Sequence, residues 1–328
     1  MEPILELRDV EKVFTSNVGL IRRLTDARAA RLAKGVRAVD GVSFSVTRGE
    51  VVGLVGESGC GKSTLGRIAA RLIAPSAGAV LYEGKNLAAL PTSEARRIGL
   101  RTQMIFQNPY SSLNPRMQVR DIIGEAALVH GIVPRRAIAD YVDSLLAQVG
   151  LDPEYALRLP HQFSGGQRQR IGIARALAVK PEFLICDEAV AALDVSIQAQ
   201  VLNLFADLRD SLGLTYLFIS HDLGVIEHIC DRIVIMYLGR IVEIAKTETL
   251  FSAPCHPYTE ALLSSVPRFT GARATFQAVK GEIPSPINPP SGCHFHPRCP
   301  KAQERCRVEA PELRTIRPGQ FGACHFPS

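Results

Sequence analysis

An α/β fold organised on a mainly parallel sheet is predicted by three stretches of this 328-residue sequence. The first is Gly56-Glu57-Ser58-Gly59-Cys60-Gly61-Lys62-Ser63-Thr64, which fits the G-x-x-x-x-G-K-[ST] phosphate-binding loop. It stands between an apolar, β-branched run, Val51 to Val55, and a stretch of helical spacing from Leu65 to Ile73, the context that motif requires. The second is Phe183-Leu184-Ile185-Cys186, an apolar strand running into Asp187-Glu188. The third is Thr215-Tyr216-Leu217-Phe218-Ile219, which ends at Ser220-His221-Asp222.

These stretches also carry a chemistry. In a phosphate loop the backbone N–H groups converge on the α- and β-phosphates at the positive end of the next helix. Glycines are needed there because a Cβ would block that approach. Lys62 is expected to reach the β- and γ-phosphates as a point charge, and the Ser63 hydroxyl to ligate Mg²⁺. Asp187 is the expected second Mg²⁺ contact, and Glu188 is placed to polarise an attacking water. His221 lies at the C-terminal end of a parallel strand, where ligands bind in this fold class.

The remaining elements follow in order. Residues 4–14 alternate as a strand, from Ile4-Leu5-Glu6-Leu7 to Phe14. Residues 15–37 then carry Arg22, Arg23, Arg28, Arg31, Lys34 and Arg37 against one acid, Asp26. This is either a solvated basic segment or a surface facing anionic lipid or a partner. Alternation resumes at Val42-Ser43-Phe44-Ser45-Val46, and short strands are expected at 79–82 and 103–106. Gln107 follows, then the turn-rich Asn108-Pro109-Tyr110-Ser111-Ser112-Leu113-Asn114-Pro115. From about 118 to 178 the spacing is helical, as in Ile138, Tyr141, Val142, Leu145, Leu146 and Val149. Within it, Phe163-Ser164-Gly165-Gly166-Gln167 precedes a helix expected over Ile171 to Val179, a second anion site in the making. Residues 232–236 and 240–243 read as an antiparallel hairpin turned by Leu238-Gly239.

Composition bounds the rest. The chain has room for about two domains, and its apolar content of 46% supplies a core. No apolar run is long enough to span a bilayer and no secretory leader is visible, so a soluble, cytosolic protein is expected. The net charge of +6, from 38 basic and 32 acidic residues, is too mild to argue for nucleic acid. Cys60, Cys186, Cys230 and Cys255 read as small packed side chains, although Cys60 also sits at a helix N-terminus, a setting that can lower a thiol pKa and invite oxidation.

Taken together, the chain resembles the ATP-binding subunits of ABC transporters, with five motifs in order over nearly its whole length. Residues 56–64 match Walker A, 183–188 Walker B, 163–167 the signature loop, Gln107 the Q-loop and His221 the H-loop. More narrowly, Phe106 to Arg116, His256-Pro257-Tyr258-Thr259-Glu260-Ala261-Leu262-Leu263 and Gly281-Glu282-Ile283-Pro284-Ser285-Pro286 are similar to oligopeptide/dipeptide permease ATPases, the second of the two such subunits in particular. The resemblance implies an ABC-type phosphate-loop ATPase: a RecA-like core sheet, an antiparallel β subdomain and a helical subdomain at about 108–178, together filling residues 1–250. A Pro/Cys-rich extension would fill 251–328.

It further implies ATP and Mg²⁺ as cofactors and ATP hydrolysis as the activity. Phe14 would stack on adenine, and Gln107 would join Ser63 and Asp187 on Mg²⁺ and sense the γ-phosphate. Glu188 would be the base and His221 a γ-phosphate contact. Phe163, Ser164, Gly165, Gly166 and Gln167 would face the ATP held by the partner in a head-to-tail ATPase dimer. The implied partners are a second related ATPase, two transmembrane permeases and an extracytoplasmic peptide-binding protein, with the chain peripheral on the cytoplasmic face of the inner membrane. Import of nickel or glutathione by the same machinery, and a soluble non-transport ABC ATPase, are the alternatives. One departure stands out: the family's Asp-Glu-Pro-Val-Ser-Ala-Leu-Asp is here Asp187-Glu188-Ala189-Val190-Ala191-Ala192-Leu193-Asp194, which keeps the D-loop Asp194 but not the Pro and Ser.

Six prolines between Pro284 and Pro300 predict an extended, non-helical segment. Cys293, Cys299, Cys306 and Cys324 crowd into the same tail. Disulfides are not expected in a cytosolic chain, so four thiols in one small module suggest a metal centre, although the spacing is not that of common zinc ribbons. The peptide-permease resemblance implies a [4Fe–4S] cluster on these four cysteines. Zinc on a mixture with His294, His296 and His325, or no metal at all, are the other readings.

Overall fold

A computed structural model describes residues 2–15, 35–108, 112–264 and 281–328. Most of the basic stretch and Pro109-Tyr110-Ser111 lie outside the described residues. The described strands are β1 (Pro3–Phe14), β2 (Val36–Thr47), β3 (Val51–Val55), β4 (Ala77–Tyr82), β5 (Lys85–Asn86), β6 (Thr102–Ile105), β7 (Phe183–Asp187), β8 (Thr215–Ser220), β9 (Arg232–Tyr237), β10 (Arg240–Lys246), β11 (Arg314–Arg317) and β12 (Gln320–Gly322).

They form two sheets. The smaller, in order β2-β1-β4-β5, is antiparallel throughout. The larger has the order β11-β12-β10-β9-β3-β8-β7-β6. Its middle, β9-β3-β8-β7-β6, is parallel, so five strands end on the same edge. The β9–β10 hairpin, turned at Leu238-Gly239 as expected, converts the other side to antiparallel pairing.

Each central strand is apolar on both faces because both faces are covered. Successive side chains point to opposite sides of a strand, and the two cores divide accordingly. Val51, Val55, Leu184, Cys186, Tyr216 and Phe218 join the core under the helices. Val52, Leu54, Phe183, Ile185, Leu217 and Ile219 join the core under the small sheet, with Leu5, Leu7, Val42 and Val46. Helices Val119–Val129, Ile138–Gln148 and Gly165–Leu177 build the helical region. The last of these begins six residues before the expected Ile171, because Ser164 and Gln167 form a capping box. The Ser164 hydroxyl accepts from the Gln167 N–H at 3.3 Å, and the Gln167 side-chain oxygen accepts from the Ser164 N–H at 3.0 Å.

The C-terminal residues do not stand apart from this body. β12 pairs with β10, Gly322 opposite Glu243, and so extends the central sheet. The carboxylate of Glu243, fully buried, accepts from the N–H groups of Cys255 (2.9 Å) and His256 (3.0 Å) and from the Gln320 amide (2.9 Å). An anion placed just before the helix Pro257–Ser264 is favoured there by the helix dipole. Tyr237, Tyr258, His256 and Phe295 stack alongside, with ring centroids 4.7–5.9 Å apart. Burial holds the His256 imidazole neutral, its pKa pushed down to about 4. Residues 284–300 are irregular, as expected, except for one 3₁₀ turn at His296–Arg298. Replacing Glu243 by Ala would strand three buried donors, and we expect a loss of about 3 kcal/mol or more. Thermal unfolding of the variant measures it; a melting temperature within 2 °C (roughly) of wild type would contradict this role.

Candidate nucleotide site

The phosphate-loop sequence begins where β3 ends, and the helix Lys62–Ala69 begins within it. Two of its glycines are demanded by protein neighbours alone. A Cβ on Gly56 would lie 2.1 Å from the Met236 carbonyl oxygen, and one on Gly61 would lie 2.0 Å from that of Ala38. Gly61 is also left-handed, with φ +107°. The contact with Ala38 brings β2 against the loop, and Phe14 pairs with Val36 two residues away. Phe14 is 46% exposed at the end of β1, with the Lys12 ammonium 5.3 Å from its ring centre. The ring therefore stands exposed at the end of the strand that pairs with β2.

Lys62 is buried, and its ammonium donates to the carbonyls of Gly56 (2.6 Å) and Glu57 (3.0 Å). The Ser63 hydroxyl donates to Asp187 at 2.8 Å. Burial raises the Asp187 pKa, and the Ser63 hydrogen bond works against that shift. A hydroxyl beside a part-desolvated carboxylate is a donor set that suits a hard divalent cation. Gln107, the third expected Mg²⁺ ligand, lines the same open cleft of about 450 Å³ as Ser63 and Asp187.

Glu188 sits at the end of β7 with φ +49°, a left-handed backbone unusual for a residue with a Cβ. Its N–H donates to the Ile219 carbonyl at 2.9 Å, which ties the end of β7 to β8. One carboxylate oxygen accepts from the Gln107 amide. The other lies 3.2 Å from Nδ1 of His221, which follows β8 directly. Four elements distant in sequence therefore deliver Lys62, Gln107, Asp187, Glu188 and His221 to the C-terminal edge of the parallel strands, where such sheets bind ligands.

None of the residues of the loop at 163–167 lines that cleft. Phe163 is buried edge-on to Tyr155, with centroids 5.6 Å apart, and so anchors the loop instead of facing outward. Arg168 holds the approach to it, donating to the Pro160 carbonyl at 2.7 Å. A Cβ on Gly166 would meet Ile197 at 2.4 Å, which packs this loop on the helix that follows the exposed Asp194. Cys60 is a packed side chain, not a reactive thiol. It is buried, and desolvation pushes its thiol pKa up, overriding the helix N-terminus.

Cys293, Cys299, Cys306 and Cys324 line one small cavity of about 10 Å³, with His256, His296 and His325. All four cysteines are free thiols, and burial pushes Cys293 up to about 11. Among the described residues no group of three or more His, Cys, Asp and Glu is arranged to hold a metal ion. His294 is not part of the cavity, and its Nδ1 lies 3.1 Å from the Leu238 carbonyl. Sequence reading missed the cleft residues Arg67 and Arg175 and the contacts of Arg298 and Tyr258 with Glu57. No local pattern marks them, since what matters is their distant partners.

Two family models match: ABC transporter over residues 39–191, and the C-terminal region of oligopeptide/dipeptide transporters over residues 242–306. The chain is 51% identical to the oligopeptide transport ATP-binding protein AppF of Bacillus subtilis, covering 100% of this chain and 98% of that one. It is 53% identical to a putative peptide import ATP-binding protein of Brucella ovis, over 88% and 92% of the two chains.

The chain belongs to the peptide-transport ATP-binding proteins of the ABC family.

Solved ABC ATPases share its fold. The Clostridium perfringens cbiO1, part of the ABC transporter complex cbiONQ, superposes with a TM-score of 0.65 at 25% identity, covering 77% of this chain and 92% of that one. The dimeric, post-hydrolysis cassette MJ0796 bound to ADP and Pi superposes at 0.62 with 25% identity, over 74% and 98%. As an ABC ATPase the chain binds and hydrolyses ATP. Among its described residues no helix is long and apolar enough to cross a membrane.

Proposed function

We propose that this chain is the ATP-hydrolysing subunit of an importer for di- or oligopeptides, working at the cytoplasmic face of the cell membrane. The observation that carries the chemistry is the convergence of Lys62, Gln107, Asp187, Glu188 and His221 on the C-terminal edge of the parallel strands. In this reading residues 56–64 cradle the ATP phosphates, Lys62 neutralises the β- and γ-phosphates, and Phe14 stacks on adenine. Ser63, Asp187 and Gln107 hold Mg²⁺, which when bound screens the charge developing on the phosphates. Glu188 takes the proton of a water whose oxygen bonds to the γ-phosphorus as the bridge to ADP breaks, and His221 orients Glu188 and the γ-phosphate.

In this reading Ser164 to Gln167, which open the helix Gly165–Leu177 with a capping box, complete the ATP site of a second, related ATPase in a head-to-tail dimer, and Phe163 anchors them. Asp194 lies at the same seam. Closure on ATP and reopening after hydrolysis would drive two transmembrane permeases fed by an extracytoplasmic peptide-binding protein. Residues 1–250 would form the ATPase domain and 251–328 the family-specific extension. The peptide cargo rests on the names of the relatives and on the matched C-terminal region. Tagging the chain and isolating it from gently solubilised membranes tests the assembly. Recovery of two permeases and a related ATPase is expected; recovery with ribosomes, with DNA or alone from the soluble fraction would overturn it.

We further propose that Cys293, Cys299, Cys306 and Cys324 hold a [4Fe–4S] cluster. The support is that the four thiols line one cavity, together with His256, His296 and His325, and thiols are the donors iron–sulfur clusters take; the described side chains are not yet arranged as a ligand set, so the cluster would have to draw them together. Anaerobic purification should give brown protein with iron and acid-labile sulfide. Colourless protein without iron would refute the cluster, and stoichiometric zinc would replace it.

A further inference from the structure

Glu57, the second residue of the phosphate loop, is held at both its side chain and its backbone by the C-terminal extension. Its carboxylate receives two N–H groups of Arg298, at 2.6 and 2.9 Å. Its own N–H donates to the Tyr258 hydroxyl at 2.9 Å. The Arg298 side chain is only 4% exposed and lies against Tyr237, whose hydroxyl is 3.4 Å from the guanidinium. Tyr258 is fully buried. The two partners come 201 and 241 residues after Glu57. The Glu57 carbonyl in turn accepts from the Lys62 ammonium at 3.0 Å, so one residue links the extension to the phosphate-binding lysine.

A carboxylate in this loop is electrostatically misplaced. Its charge opposes any anion the loop receives, and partial burial weakens the screening by water. A bidentate guanidinium cancels that charge and fixes its direction at once. We propose that Arg298 and Tyr258 are positioning residues of the ATP site, so that the extension sets ATP affinity by neutralising and orienting Glu57. This rests on residues 56–64 being the ATP phosphate loop. Cys299 follows Arg298 directly and lines the four-cysteine cavity, so disturbing that cavity is expected to loosen ATP without touching Glu188 or His221.

Four variants of the full chain test this: Arg298→Met, Arg298→Lys, Glu57→Gln and the double variant Glu57→Gln/Arg298→Met. Binding of a fluorescent ATP analogue is measured alongside KM and kcat. Arg298→Met is expected to weaken binding and raise KM about tenfold, with kcat within about twofold. Arg298→Lys keeps the charge and should recover part of the loss. In the double variant there is no uncompensated carboxylate, so affinity should return to within about threefold of wild type. A staple that only stabilises the fold would lower the melting temperature and show no such recovery. Unchanged affinity in Arg298→Met, or a double variant as weak as the single, overturns the proposal. If Arg298→Met does not fold, Arg298→Lys and the double variant still decide it. Lys62→Ala separates the two readings. If that variant binds normally, the loop assignment itself fails; if it alone loses binding, only the role of Arg298 and Tyr258 fails.

Discussion

Glu188→Gln is expected to lower ATP turnover by about 10² to 10⁴, the usual contribution of a positioned general base, while leaving ATP affinity near wild type. The substitution keeps the shape of the side chain, and its amide still meets Gln107 and His221, which hold the two carboxylate oxygens from opposite sides. What disappears is the proton acceptor. The left-handed φ of +49° at this position places the side chain where β7 meets β8, and such conformations persist where surrounding structure over-determines them. Single-turnover hydrolysis with saturating Mg-ATP measures the effect. Turnover within tenfold (roughly) of wild type would move the base elsewhere, with His221 the next group to replace. Affinity that fell together with the rate would mean that Glu188 contributes to binding.

The second large effect is expected from Lys62→Ala, with a loss of ATP affinity of about 100-fold and no measurable hydrolysis. Hydrogen bonds to a charged group contribute about 1.5–3 kcal/mol each, and the ammonium is the compact charge closest to where the phosphates would lie. It is already buried and directed inward by the carbonyls of Gly56 and Glu57, so little ordering remains to be done on binding. Lys62→Arg is expected to fail nearly as badly, because a planar fork cannot occupy a site shaped for a point charge. Calorimetric titration with ATP, with the nucleotide-free melting temperature as a control for folding, separates a lost contact from a lost fold. Full affinity in Lys62→Ala would remove residues 56–64 from the phosphate site.

The central strands were legible because their patterns are local. Val51 to Val55, Phe183 to Cys186 and Tyr216 to Ile219 are uninterrupted runs without a charged residue, as a strand covered on both faces needs. The Leu238-Gly239 turn was equally plain. Boundaries were less so: the helix over Gly165–Leu177 starts early because Ser164 and Gln167 cap each other, a signal present in the spacing but outweighed by the two glycines. Cys60 is a small packed side chain, and desolvation outweighs the nearby Lys62 ammonium and keeps its thiol pKa up. The four tail cysteines could be picked out by crowding; that they share one cavity with His256, His296 and His325 could not.

The sequence by itself determined the strand–loop–helix at residues 51–69, the acids that end β7, the histidine that ends β8 and the family to which they belong. Each of these is a short-range pattern in which the order of residue types dictates backbone geometry. The tertiary structure alone decided which groups face one another. Gln107, Glu188 and His221 meet because parallel strands of matched register all end on one edge. Tyr258 reaches Glu57 because Glu243 on β10 anchors the residues just before its helix, and Arg298 does so beside Phe295, which packs against Tyr237 and Tyr258. Contacts of that kind join charges and hydroxyls hundreds of residues apart, and no local preference of the chain encodes them before the sheet has formed.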